Sequence, residues 1–428
     1  RAPPAPAPSR VRDSWEPPSL PRTAQEAAEA AREVLPGLLA DAGELAHWGY
    51  AATRYAFFTG TGVASAMARN LPFNARGAAP AGAVDDATRN ASIARLLSSQ
   101  VEIVRRDREN IKAGLYAPPY DADPRHRQWN LGWVAARQQR YAAEMEAAVA
   151  RRQREEGGLE VRETSQEGRD ADMYPDYYRQ NFHFQSDGWL SSRSARVYEH
   201  STELLFQGTQ DYMQRQTLVP IAEHLRATGR APEDLTLMDV ACGTGRLLTF
   251  MKDTWPGMST VGVDLSPYYL AEARENMEYF RSFNARVNPG RGLAQSHYRQ
   301  AKAEDLPCAD GAVDVLTCVY LFHELPPEVR RECAAEFFRA VKPGGLLVLT
   351  DSIQGGDIPA VDEILPLFPA FYHEPYYLSY LEDDIVGAFE LAGFECLDVR
   401  AAHLSKVFSF VKPAEGPPQQ QQPEVQPE

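Results

Sequence analysis

No CxxC pair occurs among the five cysteines (Cys242, Cys308, Cys318, Cys333 and Cys396), their number is odd, and none of their spacings fits a metal-ligand set. They are expected to be reduced, mostly buried thiols in a cytosol-like compartment, a class that includes a plastid stroma or mitochondrial matrix. Positive charge is also in short supply: 44 Lys and Arg stand against 59 Asp and Glu, a formal net charge of −15. That balance argues against a general nucleic-acid surface, which needs clustered basic side chains to neutralise phosphates, and leaves only a localised basic patch open. There is no charged-then-apolar secretory signal and no initial Met, so a removed targeting peptide is expected; with the Ala- and Pro-rich composition this points to a plastid (chloroplast). No internal repeat is visible.

What is present is ordinary globular material, 428 residues with 44% hydrophobic content, enough for a sizeable core and two or three domains. The ends, 1–22 and 413–428, are rich in Pro and Gln and are expected to be disordered. Residues 23–153 read as a helical extension, with helices expected from Thr23, over 90–114 and over 127–153, and 154–173 read as a polar linker. Within the extension, GYAATRYAFFTGTGVASAMAR approaches bilayer length, but Arg54 and several Thr and Tyr interrupt it. Packing against its own protein is favoured over a membrane-surface or protein-complex contact. Residues 174–230 form an aromatic, then helical, cap.

From 235 the pattern alternates: strands at 235–240, 260–264, 297–301, 313–319 and 345–351, helices at 246–254, 267–282, 327–341 and 381–392, then the strands ECLDVRA and SKVFSFVK. Such alternation predicts an α/β fold, a mostly parallel sheet with helices on both faces. Ligands then gather at the carboxyl edge where the winding reverses. The stretch LMDVACGTGRLL (237–248) occupies the first strand-to-helix turn. Gly243 and Gly245 clear side chains from a place where a ligand can approach the backbone, next to free helix N–H groups. A dinucleotide fingerprint would carry a third glycine where Leu248 stands. Asp239, before the turn, disfavours a pyrophosphate and favours a cation. Asp264, closing the second strand, is placed to accept hydrogen bonds from two ribose hydroxyls.

With these residues in view, 235–351 resembles the class I S-adenosylmethionine-dependent methyltransferases. MDVACGTG is similar to the family's first motif, VGVDLS to its ribose acid, AEDLPCADGAVDVLTCVYLFHELP to its adenine loop and fourth strand, and VKPGGLLVLTDS to the turn into its fifth strand. The resemblance implies a Rossmann-like, doubly wound, seven-stranded domain over 231–412. It implies S-adenosyl-L-methionine as cofactor, held by Asp239, Ala241, Gly243, Gly245, Asp264, Leu265, Ala303, Glu304 and Val319. Two departures stand out: Ala241 replaces a frequent glycine, and Lys302 stands where an adenine-contacting acid is usual, so adenine contacts are expected from Ala303 and Glu304. The whole chain, with YPDYYRQNFHFQSDGW ahead of the core, also looks like methyltransferases of plants, algae and cyanobacteria.

Methyl transfer needs positioning and a dry site more than a protein nucleophile. A general base helps a hydroxyl acceptor, and the resemblance places His323 and Tyr320 at the acceptor pocket as catalytic candidates. A buried histidine is as often simply hydrogen-bonded, and Glu324 has a competing role as a helix cap. Trp189 and Tyr198 are candidates for a lid, or for interdomain packing. The apolar insertion 353–380, with His373, Tyr376 and Tyr377, is expected to wall a hydrophobic acceptor site or to cover the sheet edge. The resemblance favours a small apolar or aromatic acceptor of quinone, lipid or pigment type. The alternatives are a non-catalytic assembly or binding protein, which the long helical half supports, and a protein methyltransferase.

Overall fold

A computed structural model describes residues 41–67, 85–153, 173–185 and 187–414. The Pro-rich N-terminus, the linker at 154–173 but for its last residue, and nearly all of the C-terminal tail lie outside them.

The strands are β1 (Thr236–Val240), β2 (Ser259–Asp264), β3 (Ser296–Gln300), β4 (Val313–Val319), β5 (Val341–Ser352), β6 (Glu395–Ala402) and β7 (Ser405–Val411). They form one seven-stranded sheet in the order β3-β2-β1-β4-β5-β7-β6, parallel except for β7. The alternating segments are thus found as one wound, mostly parallel sheet. β4, VDVLTCV, is buried at every position, as a central parallel strand covered on both faces must be. β1 lies between β2 and β4, so the winding direction reverses at its carboxyl end.

Ahead of the sheet come α1 (Ala42–Met67), α2 (Asp86–Lys112), α3 (Leu131–Gln153), α4 (Ser192–Leu205), α5 (Gln210–Arg215) and α6 (Leu218–Thr228). Within it are α7 (Arg246–Thr254), α8 (Pro267–Val287), α9 (Pro327–Ala340), α10 (Phe368–Tyr372), α11 (Tyr377–Leu381) and α12 (Ile385–Ala392). The helix expected at 381–392 is broken after Leu381, because the Asp384 carboxylate accepts the Gly387 N–H (3.0 Å) and caps a new helix start. The helix expected from 127 begins with a 3₁₀ turn at Arg127–Trp129 and becomes α-helical at Leu131.

The N-terminal helices share a core with the sheet. Tyr50, Ile103, Val104 and Tyr116 belong to the same buried cluster as Leu237, Phe250 and Phe280. Asp107 on α2 takes two hydrogen bonds from Arg215 on α5 (2.8 and 2.9 Å), both side chains at most 1% exposed, and a third from Tyr116 (2.8 Å). A buried pair with this geometry fixes where α2 sits on the sheet layer. On α1, the face carrying His47, Tyr50, Ala51 and Arg54 turns inward. No helix among the described residues is long and apolar enough to cross a membrane.

Candidate functional site

The end of β1 runs into a turn made of left-handed residues: Ala241 (φ 57°), Gly243 (φ 54°) and Gly245 (φ 74°). Alanine adopts at a cost of about 1–2 kcal/mol a conformation that glycine adopts freely, so the backbone at Ala241 is held under strain. Asp264 ties this turn to the end of β2: its carboxylate accepts the Gly243 N–H and the Ser266 N–H, both at 2.8 Å. Burial pushes its pKa up to about 6, even with those two bonds opposing. Asp239 receives a hydrogen bond from the Thr317 hydroxyl (2.7 Å), and burial pushes it to about 7. No cationic side chain among the described residues pairs with either. Buried carboxylates left in this state favour a cationic or hydroxyl-bearing ligand that supplies the missing partners.

Two adjoining hollows share the turn in their walls. A cleft of about 100 Å³ is lined by Ala241, Gly243, Asp264, Leu265, Ala303 and Val319, six of the expected donor-binding residues. A larger chamber of about 330 Å³ takes Asp239 into its lining and shares Tyr198, Ala241, Gly243, Val319 and Tyr320 with the cleft. Two expected residues stand off from both. A Cβ at Gly245 would come within 3.1 Å of Ala273 Cβ, so this glycine lets α7 and α8 approach. Glu304 is drawn away by Tyr177, whose hydroxyl donates to it at 2.8 Å; Lys302, its neighbour, lines the cleft.

The two catalytic candidates are placed differently with respect to the hollows. Tyr320 does line both hollows, in a left-handed conformation (φ 58°), with its hydroxyl bonded to Ser405 (2.8 Å). His323 lines neither. Its Nδ1 is 2.5 Å from Asp351 Oδ1, and its Nε2 faces Glu324 and Glu374, each at 3.9 Å. Burial lowers its pKa, but Asp351, then Glu374 and Glu324, outweigh burial and raise it to about 10. Asp351 thus occupies Nδ1 and favours the protonated ring, and the imidazole stands behind Glu324 and off both hollows. His183 closes a ring with the same acids, 3.5 Å from Glu324 and 3.7 Å from Glu374. Glu374 is 2% exposed, and both of its oxygens lack a hydrogen bond. Of these side chains only Glu324 lines the cleft. Its expected role as a helix cap is not seen, since Pro326 precedes α9 with no side-chain cap.

Trp189 and Tyr198 line the cleft and are also packed: Trp189 stacks on Phe182 (5.8 Å) and meets Tyr198 and Tyr269 edge-on. The Ser266 hydroxyl donates to the Trp189 carbonyl at 2.6 Å, fastening this segment to the start of α8. The insertion 353–380, in contrast, forms its own cluster around Ile353, Val361, Leu365 and Tyr377, and His373, Tyr376 and Tyr377 reach neither hollow. The chamber wall comes instead from the N-terminal helices: Arg54, Phe57 and Phe58 of α1 and Trp133 and Arg137 of α3. The one sign of this in the sequence was Arg54, a charge amid an apolar run. Its guanidinium is buried beside Glu203 and is 3.0 Å from Asp211, which also binds Arg246 (2.6 Å); Arg246 in turn reaches Asp121 (2.5 Å). Glu203 keeps one buried oxygen without a partner, and burial, opposed by Arg54, pushes its pKa up to about 8.

Residues 237–345 match the sequence profile of a family described as a methyltransferase domain. Similar curated proteins include a demethylmenaquinone methyltransferase of Thermus thermophilus (33% identical over 125 residues, 29% of this chain and 50% of that one). A demethylspheroidene O-methyltransferase of Rhodobacter capsulatus is 29% identical over 136 residues, 32% of this chain and 30% of that one. The chain spans about half the length of the first curated relatives it matches. Among solved structures, an S-adenosylmethionine-dependent methyltransferase from Aquifex aeolicus aligns with a TM-score of 0.32 at 17% identity, over 44% of this chain and 88% of that one.

Proposed function

We propose that this chain, whose core domain is that of the class I S-adenosylmethionine-dependent methyltransferases, transfers a methyl group to a small apolar or aromatic acceptor. The observation that carries this reading is the junction of the two hollows: the residues suited to the donor and those walling the chamber share Ala241, Gly243, Val319 and Tyr320. Bound S-adenosylmethionine supplies an activated methyl group on a sulfonium. Asp264 is placed to take the ribose hydroxyls and Asp239 to offset positive charge, each gaining the partner that its burial leaves wanting. Tyr320 and Val319 separate donor from acceptor side and hold the approach distance, which is the main source of rate in such a displacement. For a hydroxyl acceptor that reaches past Tyr320 into the cleft, Glu324, which lines the cleft and not the chamber, is the candidate to take the proton, with His183 and His323 behind it. The names of the relatives, demethylmenaquinone and demethylspheroidene methyltransferases, agree with an acceptor of quinone or pigment type.

Isothermal titration with S-adenosylmethionine tests the reading. Micromolar binding that Asp264→Ala abolishes supports it; no binding by the wild-type chain favours a non-catalytic assembly protein. Labelled donor incubated with a lipid and pigment extract then identifies the species that gains label.

A further inference from the structure

The chamber meets a second hollow, of about 290 Å³, along a shared wall of Arg127, Trp133, Arg137, Glu199 and Asn276. Arg137 and Arg127 both lie against the Trp133 indole, with their Cζ atoms 4.7 and 5.0 Å from the ring centroid. Arg127 is also 4.1 Å over the Tyr279 ring and donates to Asn276 (2.6 Å). Stacking fixes the planes of the guanidiniums and leaves their edges to find acceptors. Those edges are under-supplied, since the Nε of each is buried without a hydrogen-bond partner. The carboxylate nearest Arg137 is Glu199, with Oε2 at 3.8 Å, beyond hydrogen-bond range. The other oxygen of Glu199 is already taken by Thr244 (2.8 Å) and Asn276 (3.1 Å). Burial weakens the hold of Arg137 on its proton more than Glu199 strengthens it. Around the second hollow, Arg127, Arg137, Arg140 and Arg196 face only Glu199, Glu272 and Glu275.

Two stacked guanidiniums with unfilled hydrogen-bonding capacity, on the wall of an aromatic chamber, are suited to a planar anion, because a carboxylate accepts from such a fork while its apolar body lies along Phe57, Phe58 and Trp129. We infer that the Arg127–Trp133–Arg137 face binds a carboxylate of the methyl acceptor, so that the acceptor is an aromatic or apolar acid. The inference deepens the methyltransferase reading and rests on it for the word acceptor.

The test is binding of paired probes, 4-hydroxycinnamate with its amide and decanoate with its amide, to the full chain with and without S-adenosylhomocysteine. At least one acid should bind tenfold or more tightly than its amide. Arg137→Gln should abolish that preference, and Arg137→Lys, which keeps the charge but not the fork, should restore part of it. Melting temperatures of both variants report whether they fold, and Arg127→Gln provides a second route to the same loss. Equal binding of acid and amide, or no binding of either acid, overturns the inference. So does an Arg137→Gln variant that loses S-adenosylhomocysteine and keeps the acid preference, since the arginine then serves the carboxylate of the donor. If S-adenosylhomocysteine fails to bind the wild type while the acid preference persists, the donor reading falls and the anion site stands.

Discussion

Replacing Asp239 by Asn should stabilise the ligand-free protein at neutral and higher pH while weakening its hold on the donor. Asp239 is 2% exposed, and its side chain has one hydrogen bond, from Thr317. Burial moves its pKa from 3.8 to about 7. Below the unfolded value, the carboxyl is protonated in both states and contributes nothing. As the pH rises from 3.8 towards 7, the unfolded chain gives up the proton and the folded chain keeps it, so stability falls by about 1.4 kcal/mol per pH unit. The full shift is worth roughly 4 kcal/mol, and the loss is complete above about pH 7. Asparagine is spared this loss, and its amide oxygen can still accept from Thr317. The variant should therefore match the wild type near pH 4 and exceed it by about 2–4 kcal/mol near pH 8. Urea unfolding of both proteins, followed by circular dichroism across this range, measures the difference directly. A difference that stays flat with pH, or that grows as pH falls, refutes the assignment of a buried, cation-free carboxylate. Titration of S-adenosylmethionine at about pH 8 completes the test: affinity should drop on the order of tenfold or more, the size of one lost charge-assisted contact.

Three further outcomes are expected. Ala241→Gly relieves a left-handed alanine and should raise stability by about 1 kcal/mol, seen as a higher urea midpoint with unchanged slope. Asp107→Ala leaves the Arg215 guanidinium uncompensated in the core and should cost about 3–5 kcal/mol, with hydrogen exchange showing α2 loosened against the sheet. Glu324→Gln should slow transfer to a hydroxyl acceptor by about 10²–10⁴-fold; because Glu324 lines the cleft assigned to the donor, donor affinity from titration calorimetry separates loss of a proton acceptor from loss of donor binding.

The alternation from 235 onward, the glycine turn, and the acids at the ends of β1 and β2 were all legible in the sequence. Each is a local signal: apolar runs of strand length, a bend that needs positive φ, a carboxylate at a strand end. The linear pattern placed six of nine expected donor residues on the cleft and Asp239 on the adjoining chamber. Gly245 and Glu304, also expected there, line neither hollow, because Ala273 packs against the one and Tyr177 bonds the other. Whether His323 is a base or a hydrogen-bonded histidine was not legible, because a sequence does not reveal that Asp351 and Glu374, from distant segments, converge with Glu324 on one imidazole.

The wall of the chamber was least legible. The apolar insertion after β5 had the composition expected of it, yet it packs around its own cluster and against Leu96 and Leu404, away from both hollows, and Phe57, Phe58, Trp133 and Arg137 come from helices that the sequence suggested could stand apart. Periodicity tells a helix which face to bury but not against what, and long-range packing chose that partner through contacts such as Asp107 with Arg215. The sequence by itself therefore determined the wound sheet and the donor end of its carboxyl edge, because backbone conformation and strand pattern are local. Only the tertiary structure decided which side chains close the acceptor end and which acid faces the cleft, because burial and charge pairing exist only once distant segments meet.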